Sequence, residues 1–162
     1  MSRRNTIVTS ALGGVAGAFA MDVVEQAWAA RFERGRATND LDEEVEALAA
    51  VVRIIATVVP SLAGERRAQM AARALHYAFG IAFAGAYVLA VPSARVLASA
   101  GGITFGTGLF ILSDRMLIPM LKLGRPWARY SRSERLNALA SHVAYGVVLE
   151  SIRARTMARR RP

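Results

Sequence analysis

The chain has 162 residues, 54% of them hydrophobic, a formal net charge of +9 and no cysteine. That length suits one domain, and the lack of thiols excludes disulfides, thiolate catalysis and zinc–sulfur sites. A mean hydropathy of +0.29 and the spacing of the charges set aside an ordinary water-soluble domain. No charged residue falls in the 21 positions between Arg73 and Arg95 or in the 18 between Arg95 and Asp114, and residues 5–21 and 136–149 are also uncharged.

A membrane-spanning helix needs about 20 apolar residues, with a workable range of roughly 17–25. The second and third runs reach that alone; the first and fourth reach it by taking in acidic residues. The expected fold is therefore all-α: a polytopic membrane helical bundle with four transmembrane helices and one amphipathic interfacial helix, in a single membrane domain over residues 1–162. The basic residues sit beside the apolar runs, at Arg3 and Arg4, Arg66 and Arg67, within 122–135 and within 153–161. This placement points to anionic lipid headgroups as partners. Nucleic acid is set aside, because no aromatic–basic interleaving or binding motif accompanies the charge.

The first helix is expected over about 6–30. Arg3, Arg4 and the run ending in Ala18-Phe19-Ala20 also fit a secretory signal. A retained helix is preferred, because apolar character resumes after Asp22 and Glu25. Gly13 and Gly17 form a G-x-x-x-G pair that admits a close helix neighbour. Gly14, Ala18 and Asp22 share a stripe, continued by Glu25 and Gln26, which should face the bundle. Trp28 is an expected interfacial anchor.

A polar connector follows, with Asn39 and Asp40 as a helix start and Glu43 and Glu44 in an acidic first turn. The helix over 41–59 is amphipathic, with Glu46, Ala50, Arg53 and Thr57 on its polar stripe. It is expected to lie on the membrane surface or to cover the bundle, with a fifth span as the alternative.

The second span is expected over 66–91, with Ala72, His76, Gly80 and Ala84 on one stripe. The third is expected over 94–120, with Gly102, Gly106, Phe110 and Asp114 aligned and Pro119 near its end. Trp127 and Tyr130 anchor the basic loop. The fourth is expected over 134–152, followed by a basic C-terminal tail, 153–162. Gly13, Gly17, Gly80, Gly102, Gly106 and Gly146 are the expected helix-packing positions.

His76-Tyr77-Ala78-Phe79-Gly80 parallels His142-Val143-Ala144-Tyr145-Gly146, and these hold the only two histidines. The first and third spans add a weaker echo, each with a Gly-Gly pair followed by an aspartate, Asp22 or Asp114. The reading is an internal repeat of helix pairs about an axis normal to the membrane. Orientation signals conflict: the loop between the second and third spans, with Arg95 alone, reads as external, whereas the arginine-rich C-terminus reads as cytoplasmic.

These residues resemble the YagU-like family of small bacterial inner-membrane proteins, whose biochemical function is unknown. The likeness is carried by Ala20-Met21-Asp22 with Glu25, His76 with Gly80 and Tyr87, Gly102 with Gly106, Pro119, and His142 with Tyr145-Gly146. It covers about residues 7–152, but the acidic connector 40–46 has no match in it. The resemblance implies a multi-pass location in the bacterial cytoplasmic membrane and a loose association with acid tolerance. It supplies no catalytic residue.

Ionisable groups inside a bilayer are costly and are functional candidates by default. The candidates for a proton relay or polar core are Asp22, Glu25, His76, Asp114, His142 and Glu150. Plainer readings stand beside these: Asp22 and Glu25 pairing with Arg31 or a neighbouring helix, Asp114 pairing with Arg115, and Glu150 pairing with Arg153. Each histidine lies four residues before a glycine, on the face expected to meet another helix. Three roles compete for them: hydrogen bonds across the bundle, a proton relay with Asp22 and Glu25, and axial ligation of a shared haem. No other cofactor or metal is expected. Motifs for acyl transfer, phosphate binding and zinc hydrolysis are missing, and Ser93, Ser113 and Ser141 have no evident base partner.

The leading expectation is thus a non-enzymatic inner-membrane protein that supports envelope or stress function, or serves as an accessory subunit with a membrane-protein partner or a second copy of itself. A proton or small-solute conduit is the alternative, and a bis-histidine haem protein the second.

Overall fold

Gly13, Gly14, Gly17 and Ala18 leave the middle of the first helix without bulk on two adjacent faces. The computed structural model, which describes residues 3–32, 43–57, 64–121 and 127–158, shows what occupies that space. Its helices are α1 (Arg3–Phe32), α2 (Glu43–Ala56), α3 (Glu65–Ala90), α4 (Ile103–Phe110), α5 (Ile118–Met120) and α6 (Arg132–Ala158). A π-helical stretch, Ile111–Leu117, joins α4 to α5, and short 3₁₀ segments cover Arg95–Gly102 and Trp127–Arg129. Among the described residues there is no strand.

On one face of α1, a Cβ placed on Gly14 would lie 2.5 Å from the Cα of Ile81 in α3. On the other, Gly17 meets the ring of Tyr145 and Gly13 meets Leu149, both from α6. Consecutive turns therefore wedge α1 between α3 and α6. The registers Gly14–Ile81 with Ser10–Gly85, and Gly13–Leu149 with Gly17–Tyr145, run in opposite senses along the partners. Thus α1 is antiparallel to both, and α3 and α6 are parallel. On its far side α6 meets α4, antiparallel again, through Gly146 with Gly102 and His142 with Gly106. The helix order in space is α3, α1, α6, α4.

Three helical segments are long and apolar enough to cross a membrane: Arg3–Phe32, Glu65–Ala90 and Arg95–Met120. The fourth expected span, α6, has 27 residues, ample length at about 1.5 Å per residue, but its composition is less apolar. Its position explains why: from 137 to 150 no residue of α6 is exposed. Ile7, Leu12, Phe19, Met70, Leu89, Val96 and Met120 are exposed, whereas Asn5, Thr9, Ser10, Asp22, His76, Ser141 and His142 are buried.

The third expected span is not one continuous helix. Ser99, Ala100 and Gly101 leave helical geometry, with Ala100 at φ 49° and Gly101 and Gly102 also at positive φ. Two successive glycines permit this left-handed turn at little steric cost. Further along, the chain widens into the π turns before Pro119, whose ring lacks an N–H and disturbs the preceding turn. The last expected helix also extends beyond 152: the tail expected from 153 stays helical to Ala158, while 159–162 fall outside the described residues, as does the connector 33–42. Helix α2, at 14 residues, rests on α3 by Ala49 against Ala72, and its Arg53 reaches Glu65 at 2.7 Å.

Candidate functional site

The stripe Ala72, His76, Gly80 and Ala84 is buried along α3, because small residues at that spacing let α1 and the side chains of α6 come in. On α1, Asp22 extends the Gly14–Ala18 face by one turn and meets His76 across the contact, with Oδ1 3.7 Å from His76 Nε2. Its other oxygen accepts a hydrogen bond from the Tyr77 hydroxyl at 2.7 Å. His76 is 5% exposed and Asp22 7%.

A second couple stands on the other pair of helices. His142 of α6 is 3% exposed, and its Nε2 lies 3.8 Å from Asp114 Oδ1. Ser113 Oγ stands between them, 3.0 Å from His142 Nε2 and 2.7 Å from Asp114 Oδ1. It is also 3.0 Å from the Leu109 carbonyl. The remaining ring nitrogen, Nδ1, faces the Ala138 carbonyl at 2.8 Å. Asp114 and Ser113 belong to the π-helical stretch, which leaves the α-helical ladder here and brings consecutive side chains to the same side.

The two histidines line one cavity. It is walled by Ala18 and Met21 of α1, His76, Phe79, Gly80 and Phe83 of α3, Leu109 of α4, Ser113, and His142 of α6. Its volume is about 20 Å³, room for about one water molecule. The couples lie near one end of the bundle: Arg73, exposed, precedes His76 by less than a turn, and exposed Arg115 follows Asp114. Towards the other end the path is closed by Leu109, Tyr145, Leu149, Tyr87 and Val88, with Phe105 packed against them. The Tyr145 hydroxyl donates to the Gly80 carbonyl, tying α6 to α3. Beyond this plug, Tyr87 donates to Glu150 at 2.7 Å, and Arg153 grips the same carboxylate at 2.6 and 2.7 Å.

The sequence candidates thus divide. Asp22 pairs with His76 and Asp114 with His142, and the two histidines share the cavity, whereas Glu150 stands apart behind the plug with Arg153 and Tyr87. Glu25 is half-buried one turn beyond Asp22 and, like both aspartates, does not line the cavity. The packing glycines Gly13, Gly17, Gly80, Gly102, Gly106 and Gly146 all lie at helix contacts. Sequence reasoning missed Tyr77 and the partner of Ser113. Ser113 has a histidine neighbour after all, but the arrangement is not that of an activated nucleophile. In a serine–histidine–aspartate triad the carboxylate orients the imidazole from Nδ1; here it touches the hydroxyl, and Nδ1 faces a backbone carbonyl.

The residues do not fit a haem shared by His76 and His142. The cavity is far below the roughly 300–1,000 Å³ of pockets that hold organic ligands, and both nitrogens of His142 already face protein atoms. Among the described residues no group of three or more histidine, aspartate or glutamate side chains is placed to hold a metal ion. Comparison of the chain with protein-family models, with curated proteins and with solved structures gives no match.

Proposed function

We propose that this is a multi-pass protein of the bacterial cytoplasmic membrane that takes up protons into its helical core and passes them between histidine and aspartate side chains. The observation that carries this reading is that the buried histidines of two His–Asp couples line one small cavity. A carboxylate inside a bilayer is expensive unless it is paired and used, and histidine is the side chain suited to exchanging protons near neutral pH. Water entering from the end that carries Arg73 and Arg115 reaches the couples first; the Tyr145–Leu149 plug separates them from the Glu150 cluster.

In this reading α6 is the fourth span, shielded from lipid by α1 and α4, and α2, too short to cross, covers the bundle at the interface. The two halves are copies: Asp22 follows Gly14 by the spacing at which Asp114 follows Gly106, and His76 precedes Gly80 as His142 precedes Gly146. The likeness to the YagU-like family and its acid-tolerance association agree with proton uptake, and an envelope-supporting role would be its physiological setting. Exposed Ile111, Leu112, Met116, Leu117 and Met120 favour lipid, or a membrane-protein partner, against the lower half of the third span.

Proton-loaded vesicles containing the full chain, with an internal pH dye, test the reading. Wild type should dissipate an imposed pH gradient faster than empty vesicles, and His142→Gln should lower the rate about tenfold, equivalent to about 1.4 kcal/mol. Wild-type vesicles no more permeable to protons than empty ones would overturn it.

A further inference from the structure

The hydrogen bonds around Ser113 can be counted, and they do not close with the usual protonation states. The Ala138 carbonyl can only accept, so His142 Nδ1 carries a hydrogen and donates to it. In a neutral imidazole that leaves a bare lone pair on Nε2, facing Ser113 Oγ at 3.0 Å. An ionised Asp114 places a second acceptor 2.7 Å from the same hydroxyl. Ser113 has one hydrogen, and the Leu109 backbone carbonyl stands 3.0 Å from the same oxygen as a third acceptor. If the hydroxyl donates to the aspartate, the lone pairs of Oγ and Nε2 face each other; if it donates to the imidazole, those of Oγ and Oδ1 do. A buried acceptor set against another costs about 1–3 kcal/mol, and both alternatives incur that cost.

One extra proton gives a hydrogen to both side-chain contacts, in either of two places, while the Leu109 carbonyl at 3.0 Å keeps at most a share of the serine hydrogen. On Asp114 it makes a chain in which Oδ1–H donates to Oγ, Oγ–H donates to Nε2, and Nδ1–H donates to Ala138. On His142 it makes the reverse chain, in which Nε2–H donates to Oγ and Oγ–H donates to Oδ1, with the Nδ1 bond unchanged. We infer that the Asp114–Ser113–His142 cluster holds one shared proton and that Ser113 is the bridge through which it moves. The step balances. The O–H bond of Asp114 breaks as its proton bonds to Oγ, while the former hydroxyl proton of Ser113 leaves to bond at Nε2. Neutral acid and neutral imidazole become carboxylate and imidazolium, and the serine is regenerated.

The other couple is built differently. Asp22 receives its hydrogen bond from Tyr77 on the oxygen away from His76, and the facing Oδ1 stands 3.7 Å from Nε2. The groups that face the cluster are His76 across the cavity, with Asp22 behind it, and Arg115 next to Asp114. Ser113 lies in the π turns, on the cavity wall, with the carboxylate of the next residue beside its hydroxyl, and such turns often accompany functional sites. Ser113 therefore acts as a proton-passing and positioning residue.

This inference rests on the proton-handling reading but is tested without transport. The full chain, with ¹⁵N-labelled histidine, is studied in lipid bilayers at neutral pH by solid-state NMR, alongside the infrared band of protonated carboxyl groups. Expected are a His142 Nδ1 that always carries hydrogen, an Nε2 signal averaged between protonated and bare forms, and a carboxyl band that disappears in Asp114→Asn. Ser113→Ala should abolish the averaging, and Ser113→Thr should restore it. His142 with hydrogen on Nε2 and a bare Nδ1 in wild type would overturn the inference, as would an unchanged Nε2 signal in a folded Ser113→Ala. Vesicles without proton flux but with the expected spectra would sink the relay and leave the shared proton standing; flux with the wrong tautomer would do the reverse.

Discussion

Asp22 and His76 face each other between two regular helices, whereas Asp114 and His142 face each other where a helix has opened into π turns. The ingredients are alike, and the separations are nearly equal at 3.7 and 3.8 Å. What differs is the third group. Tyr77 donates to Asp22 from outside the couple and satisfies it as a carboxylate. Ser113 stands inside the second couple, where one hydroxyl must serve two side-chain acceptors beside the Leu109 carbonyl. The comparison teaches that charge type and distance do not by themselves decide whether a pair holds a proton; the count of hydrogens available to its acceptors does.

The largest expected effect comes from the helix contacts that set the two distances. A Cβ on Gly146 would fall 2.8 Å from the Gly106 nitrogen and still closer to the Gly102 carbonyl oxygen. These are backbone atoms that cannot swing aside, so α6 and α4 would have to part. On the α1–α3 side, a Cβ on Gly80 would meet the Gly14 carbonyl oxygen at 3.1 Å and the Ala18 methyl at 3.2 Å, tight but open to a small shift. Gly146→Ala should therefore cost about 3 kcal/mol or more, and Gly80→Ala about 1 kcal/mol, measured by thermal unfolding in detergent. Equal costs would mean that the two halves are packed alike and that the asymmetry of the couples has another origin.

A smaller effect is expected from the carboxylates. Asp114→Asn keeps the shape but removes the group that shares the proton, and should slow proton flux about tenfold, or about 1.4 kcal/mol. Asp22→Asn retains an oxygen that can accept from Tyr77 and should slow it less. Equal losses would show both couples in series on one path; a larger loss at Asp22 would reverse the assignment of roles.

Part of this was legible in the sequence. The buried stripes of α1 and α3 follow from small residues at spacing four, a signal local to each helix. The histidines could be placed on packing faces for the same reason. The break at Ala100–Gly102 was not visible, because paired glycines read equally well as a packing surface. Nor were the π turns, since nothing in Ile-Leu-Ser-Asp distinguishes one hydrogen-bonding pattern from another. Ser113 lacked a partner on paper because its neighbour is 29 residues away, brought there by the Gly106–His142 contact. Tyr77 was overlooked because it lies beside the histidine stripe, and only the crossing of α1 over α3 brings Asp22 within its reach.

The smallest expected effect sharpens the comparison most. Tyr77→Phe removes the one hydrogen bond recorded on the outer oxygen of Asp22 and leaves the ring in place. Tyr77 is only half-buried, so water can replace part of what is lost, and the cost in stability should be about 1 kcal/mol. If the quiet couple is quiet because Tyr77 satisfies its carboxylate, Asp22 without that donor must find another hydrogen. Where water does not supply it, a proton of its own does, and the infrared spectrum of Tyr77→Phe should gain a protonated carboxyl band that Asp22→Asn abolishes. The Nε2 signal of His142 should stay as it is in wild type. A Tyr77→Phe protein with no new band would mean that Asp22 is held as a carboxylate by His76 alone, and the contrast between the couples would then rest on the π turns and not on the count of hydrogens.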